Sequence, residues 1–280
     1  MEWRDLVNRT RERGLTMLYY PQLSTGAVSQ FPVTRSTNMR TVSNQLPSGF
    51  TIRMSDVGDQ KVQWRLRYSS LTDAERSTIE SLFEASEGQL NTFTFLDPTD
   101  NLLMWSEDWT QAVWTPDPLL QVSGGVPDAL GGSDAMQLTN AAQTTQQIVQ
   151  NTGALSSFVY CYSLYVKSNV PATIQLVVTA TGQTSLTAIT TGTAWTRVTT
   201  SGSLSVQQDG IGFGVQLPAG VQVEAFGAQV EAQPEAGLYK KTIDLGGVYP
   251  STRFSSDLLS FTATAPNQNS CQIDLISNLN

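Results

Sequence analysis

The sequence contains no histidine, and that absence removes much of catalytic chemistry at once. Ser-His-Asp and Cys-His nucleophilic systems, histidine-ligated zinc and imidazole proton shuttles all need the missing side chain. Paired carboxylates of the glycosidase kind stay formally open, but among 24 acidic residues some pair always looks suitable, so a pair alone has no weight. No glycine-rich phosphate loop precedes a helix, and the Gly-Gly pairs beginning at Gly124, Gly131 and Gly246 read as turns. The expectation is a protein with no catalytic residues, no metal and no cofactor.

Cysteine is nearly absent too. Cys161 and Cys271 have no metal-site spacing and read as reduced core residues rather than a disulfide framework. No apolar run approaches the roughly 18 residues of a membrane span, and MEWRDLVNRTRERG lacks the apolar stretch of a signal peptide. The expectation is assembly in a cytoplasm without membrane insertion.

Positive charge is scarce in one block only. Residues 1–100 hold 11 basic and 12 acidic residues, 101–238 hold 2 and 9, and 239–280 hold 3 and 3, so the middle carries nearly all of the net −8. A surface so poor in Lys and Arg cannot neutralise phosphates, which argues against nucleic acid as a partner. Arg4, Arg9, Arg11 and Arg13 are interleaved with Glu2, Asp5 and Glu12, as on a solvated helical face.

What is present changes character at residues 91–114, NTFTFLDPTDNLLMWSEDWTQAVW, and changes back around LYKK at 238–241. That pattern predicts one domain inserted into a loop of another, where insertions are tolerated. Residues 17–100 and 241–280 form the host, residues 101–240 the guest, and residues 1–16 an N-terminal arm or helix, with Met17 a second candidate start.

In the host, VQWRLRY places Val62, Trp64, Leu66 and Tyr68 on one face of a strand against Gln63, Arg65 and Arg67 on the other. Arg65 and Arg67, with Asp56 and Asp59 near them, suggest charged contacts between subunits. LTDAERSTIESLFEASEG predicts a helix with Thr72 as N-cap, Glu75 as capping-box partner, Ile79, Leu82 and Phe83 on the apolar face and Gly88 as the stop. A strand, TFTFLDP, follows.

This order resembles the minor tail and distal tail proteins of long-tailed bacteriophages, through Leu71, Thr72, Glu75, Ile79, Phe83, Gly88, Phe93, Phe95, Asp97 and Pro98 and the earlier YYPQLSTGAVSQFPV. The resemblance covers roughly residues 17–100, with a weaker match over 243–276. It implies a small β-barrel or split β-sheet domain with one flanking helix. It also implies self-association into a ring, six copies first and three second, in contact with the tail tube and other tail-tip or baseplate hub proteins of a virion assembled in the host cytoplasm.

The guest alternates as strands do, with Phe158, Tyr160, Tyr162, Leu164 and Val166 on one face and Ile174, Leu176 and Val178 on another, between Gly, Pro, Asn and Ser turns. SFVYCYSLYVKS, TAWTRVTTSG and the closing VEAFGAQVEAQPEAGLYKKT resemble carbohydrate-binding-type jelly-roll modules. That resemblance implies a double-sheet β-sandwich. The fold class expected for the whole chain is therefore mainly β with an inserted jelly roll.

Sugar recognition needs flat aromatic surface beside hydrogen-bonding amides or carboxylates. Trp114, Trp195, Tyr165 and Gln147 are the candidates for carbohydrate binding, chosen from a set that includes Trp105, Trp109, Tyr160, Tyr162, Gln146 and Gln150. The competing reading makes most of these aromatics core, with Tyr162 packed in phase with Leu164 and Val166 and the three entrance tryptophans plugging one end of the sandwich. Glu107, Asp134 and Glu231 offer oxygen suited to calcium but lack a spaced D-x-D pattern. The functional expectation is a tail-tip ring subunit whose sandwich points outward to host-cell surface glycans for attachment. A soluble glycan-binding or glycan-cleaving protein, and an inter-subunit brace with no ligand, are the alternatives.

Overall fold

The computed structural model describes residues 17–279, so the expectation for residues 1–16 lies outside the described residues. The chain there is mostly β. In order it forms β1 (Thr34–Gln45), β2 (Thr51–Leu71), α1 (Asp73–Ala85), β3 (Phe93–Leu96), β4 (Trp114–Pro116), β5 (Leu120–Val126) and β6 (Ala135–Asn140). It continues with β7 (Gln146–Leu155), β8 (Tyr160–Lys167), β9 (Thr173–Ala180), β10 (Gln183–Thr190), β11 (Thr196–Gly202), β12 (Asp209–Leu217) and β13 (Gln222–Glu231), then β14 (Val248–Phe254), β15 (Thr262–Ala265) and β16 (Gln268–Asn278).

Six strands make an open sheet ordered β1-β2-β16-β14-β3, with β15 against β16. It is a sheet and not a closed barrel, since β1 and β3 end the order without pairing. Its inner face carries Val62, Trp64, Leu66 and Tyr68 of β2, buried as their alternation requires, and Trp64 packs on Phe95 and Tyr249 at 4.9 and 4.6 Å between ring centroids. Arg65 does not wait for a neighbouring subunit: it pairs across the sheet with Asp274 at 2.7 Å. Asp56 and Asp59 likewise meet Arg40, and Asp59 also meets Lys61 at 2.7 Å.

Helix α1 begins as its sequence dictates. Thr72 Oγ1 accepts the Glu75 N–H at 3.2 Å, and the Glu75 carboxylate accepts the Thr72 N–H at 2.9 Å. Ile79 and Leu82 are buried, and Phe83 meets Phe254 edge-on. The helix ends at Ala85 rather than running to Gly88, because Glu87 and Gly88 both adopt left-handed backbone, at φ 52° and 64°. The Gly88 N–H then closes on the Phe83 carbonyl at 3.0 Å, satisfying an end-of-helix acceptor.

Strands β4 to β13 build two five-stranded antiparallel sheets, β10-β9-β12-β7-β4 and β11-β8-β13-β6-β5. The chain crosses between them at every step from β4 to β13 except β5 to β6 and β9 to β10, which makes a jelly-roll β-sandwich. Tyr160 and Tyr162 of one sheet meet Phe213 of the other at 5.4 and 5.8 Å in the core.

The six-stranded sheet and the sandwich join where the composition changes. Buried Asp97 accepts Trp64 Nε1–H at 2.8 Å and the N–H and hydroxyl of Thr99, beside the Arg35 guanidinium at 3.0 Å. Buried Asn101 then ties the chain entering the sandwich to the chain leaving it, donating to the Ala228 carbonyl at 2.9 Å and accepting the Val230 N–H at 2.9 Å. Both free cysteines are partly or wholly buried, Cys161 in β8 and Cys271 in β16.

Candidate functional site

The four residues expected to bind sugar are divided between two sheets. Trp114 and Gln147 belong to β4 and β7, whereas Tyr165 lies in β8 and Trp195 just before β11 of the facing sheet. Trp114 is not a surface platform: it is buried, stacks on Trp109 at 4.7 Å and 20° between planes, and donates Nε1–H to the Trp105 carbonyl at 3.1 Å. An indole offering both its face and its N–H inside the protein has nothing left for a ligand.

Tyr165 is also committed. It sits among Phe226, Tyr239 and the Arg197 guanidinium, beneath residues 237–240, which fold back over the outer face of this sheet. Arg197 donates to the Gly237 carbonyl at 2.7 Å, and Gln229 binds the Leu238 carbonyl and the Lys240 N–H. Trp195 stays half-exposed, with Lys167 Nζ 4.9 Å from its ring centroid and Lys167 in turn 2.8 Å from Glu224. It is separated from Gln147 by the thickness of the sandwich.

Of the three neighbouring glutamines, two are structural. Gln146 is used by Thr144, Thr145 and the Leu119 N–H, and Gln150 brackets the backbone of Met104, accepting its N–H at 2.7 Å and donating to its carbonyl at 2.8 Å. Gln147 is different. It alternates with buried Ile148 and so points to the outer face, and its side-chain amide has no partner within the described residues.

Register supplies Gln147 with company that sequence reading missed. Gln216 of β12 lies directly opposite Gln147 on one side and directly opposite Gln175 of β9 on the other. Directly paired residues of an antiparallel sheet stand about 4.5 to 5.5 Å apart at Cβ, so the three amides form one row across three strands. All three are half-buried, and none of the three side chains bonds another described residue. Strand β12 puts Ile211, Phe213, Val215 and Leu217 into the core, and the opposite face carries Gly210, Gly212 and Gly214 before Gln216. Those glycines let neighbours close in: a Cβ at Gly212 would sit 2.7 Å from Val149 Cγ1 and 3.1 Å from Thr179 Cγ2. The outcome is a flat face with the amide row at one end and no Lys, Arg, Asp or Glu on the outward positions of β7, β9 or the glycine-rich part of β12. The alternating glycines of GIGFGVQLP were legible as one face of a strand, but the row depends on which strands became neighbours.

The carboxylates weighed for calcium already have cations beside them. Lys241 pairs with Glu107 and lies 3.4 Å from Asp134, and Lys240 Nζ is 2.6 Å from Glu231. Hydrogen bonding to Glu107 raises the Lys241 pKa, keeping that ammonium charged. Tyr239, its phenol pushed up by burial, donates to Glu107 at 2.9 Å. Among the described residues no three or more metal-ligating side chains converge.

No family model matches the sequence, and no curated protein matches it. Among solved structures the chain is similar to the CBM22-1 xylan-binding domain of Paenibacillus barcinonensis Xyn10C, at 18% identity and a TM-score of 0.40, over 49% of this chain and 97% of that one. It is similar to TmCBM61, solved with β-1,4-galactotriose, at 15% identity and a TM-score of 0.36, over 46% and 97%. It is also similar to the enzymatically active domain of tailspike protein 4 of bacteriophage CBA120, at 11% identity and a TM-score of 0.38, over 49% and 22%. At such scores the likeness is one of broad outline over half of the chain, and what those proteins bind or cleave is theirs.

Proposed function

We propose that this chain is a glycan-binding protein in which residues 101–240 form the binding module and act without catalysis. The observation that carries the reading is the row of unpartnered amides, Gln147, Gln216 and Gln175, on a face without Lys or Arg, with the Asp117 carboxylate beside Gln147 where it accepts the Gln147 N–H at 2.9 Å. A primary amide both donates and accepts, so adjacent amides match the vicinal hydroxyls of a sugar, which do the same. With no cation on the face, nothing there selects a phosphate, sulfate or uronate. Single-site binding of this kind is weak, and several copies on one surface would raise it by about 10² to 10⁴ when all engage together. The jelly-roll likenesses to carbohydrate-binding modules accord with the reading.

The test is a neutral-glycan array probed with the full chain and with the Gln147→Ala/Gln216→Ala double variant. Binding by the wild type and a loss of at least tenfold in the variant, with unchanged melting, is the expected result. Equal binding by both proteins overturns the amide row as the site.

A second reading, a subunit of a phage tail-tip ring, draws on the β1–β2 ribbon. Positions along β1 are exposed on both faces, and Met39, Phe50, Ile52 and Met54 stand out in solvent. A two-stranded ribbon has little stability alone, and an exposed edge strand invites pairing, so this arm suits contact with further copies, six first and three second, or with tail-tube and baseplate proteins. In that reading residues 17–100 and 241–280 are the ring domain and the virion carries the sandwich outward to host glycans.

A further inference from the structure

A cleft of about 360 Å³ opens beside the seam, where the chain enters and leaves the sandwich. One wall is the half-buried Trp105, whose backbone is left-handed at φ 49°. That conformation is held from three sides: the Trp105 N–H donates to the Ile243 carbonyl at 2.6 Å, and its carbonyl accepts from Trp114 Nε1–H and the Asp108 N–H. The buried Trp109–Trp114 stack thus fixes the backbone that carries the third tryptophan to the surface.

The facing wall is bare. Gly124 and Gly125, read in the sequence as a turn, lie within β5, where the register with β6 shifts between Ser123 and Val126. This β-bulge leaves the strand without side chains opposite the indole. Polar groups close the remaining side. Glu107 is nine-tenths buried, Tyr239 and Lys241 hold its two oxygens, and Lys241 reaches on toward exposed Asp134.

We infer that this cleft is a second sugar-binding subsite, taking one ring of a neutral glycan with its C–H face on the Trp105 indole and its hydroxyls against the Asp134 carboxylate and the Lys241 ammonium. The inference rests on the glycan-binding reading but uses none of the residues of the amide row. Volume favours a small occupant, since ligand pockets run from about 300 to 1,000 Å³. Charge excludes an anionic one: Glu107, Asp108 and Asp134 line the cleft with Lys241 as their cation. A bare metal ion would have to displace that lysine. An aromatic face beside hydrogen-bonding groups of both kinds is what a pyranose ring, apolar on its faces and polar at its rim, requires.

The test uses the full chain with cellohexaose, xylohexaose and mannohexaose as probes and reads the indole N–H signal of Trp105 by NMR, assigned through its absence in Trp105→Phe. The variants are Asp134→Ala, which removes an exposed carboxylate, and Gly124→Val. An added Cβ at Gly124 meets only the flexible Met136 side chain, at 3.4 Å from its sulfur, and Gly124 lines the cleft, so a valine there takes up cleft space. The expected result is a saturable shift of the Trp105 signal with at least one probe, kept in Gln147→Ala/Gln216→Ala and weakened tenfold or more in Asp134→Ala and Gly124→Val. If a probe binds but leaves Trp105 unmoved, or if the two cleft variants bind as the wild type does, the cleft is no subsite while the amide-row reading stands. If no probe binds any version of the protein, both readings fail for neutral hexasaccharides.

Discussion

The side chain of Gln22 pairs with the backbone of Val159 as a neighbouring strand would, donating Nε2–H to its carbonyl at 2.8 Å and accepting its N–H at 2.7 Å. This joins the segment ahead of β1 to the turn between β7 and β8. Tyr19 reinforces it, donating to Asp209 at 2.9 Å and packing edge-on against Phe158. Gly26, left-handed at φ 81°, presents no Cβ where one would lie 3.0 Å from Val159 Cβ. The sandwich is therefore fastened to its surroundings here as well as at the Asp97–Asn101 seam, and two anchors fix an orientation that one would leave free.

Replacing Gln22 by Ala removes both hydrogen bonds and is expected to cost about 1 to 3 kcal/mol at this contact. Hydrogen exchange at the Val159 amide should speed up in the variant while exchange in the core of β12 stays slow. Unchanged protection at Val159 would show that the contact is not holding the two parts together.

Trp114 and Trp195 should separate sharply on replacement. Trp114→Ala empties a buried site stacked on Trp109 and is expected to destabilise by about 3 to 5 kcal/mol. Trp195→Ala, at a half-exposed position under Lys167, should lower the melting temperature far less. Thermal unfolding of the two variants side by side decides it.

Gly214→Ala should be among the most damaging single-methyl changes in the chain. Its Cβ would run into the Ile148 carbonyl oxygen and stand 2.9 Å from Val149 Cα, which are backbone atoms unable to turn aside. Overpacking of this kind costs about 1 to 3 kcal/mol or more. Denaturant titration should show a lowered midpoint, whereas Gly153→Ala, with nothing within 4 Å of its Cβ, should not.

Glu75 gives the helix start a pH dependence of known sign. Burial raises its pKa, but hydrogen bonds from Thr72 and Ser24 to the carboxylate outweigh this and bring it from 4.5 down to about 2. A depressed folded-state pKa means stability that is fully present above about 4.5 and lost as pH falls through about 2. The melting-temperature gap between wild type and Glu75→Gln should therefore be widest near neutrality and shrink between pH 4.5 and 2. A gap that stays constant over that window would contradict the assignment.

The ring reading places the exposed apolar arm in an interface. Phe50→Ser combined with Met54→Ser should then convert a cyclic oligomer into monomers in mass photometry while leaving the fold intact. A wild type that is monomeric at every concentration tested counts against the ring.

Much of the local structure was legible because it depends on near neighbours. The capping box of Thr72 and Glu75 and the inward phase of Val62, Trp64, Leu66 and Tyr68 follow from spacing alone. Tyr162 likewise packs inside, in step with Leu164 and Val166. Among the entrance tryptophans, Trp109 and Trp114 are buried, whereas Trp105, with its left-handed backbone, is half-buried and lines a cleft.

By itself the sequence determined which residues alternate into a β core, where the one described helix begins, and that histidine chemistry is excluded, since each depends on composition or on a period of two to four residues. Only the tertiary structure decided that Gln147, Gln216 and Gln175 form one row and that Tyr165 and Trp195 face away from them. Strand alternation says that a side chain leaves the core; strand order and register, fixed by contacts between distant segments, say beside which others it emerges.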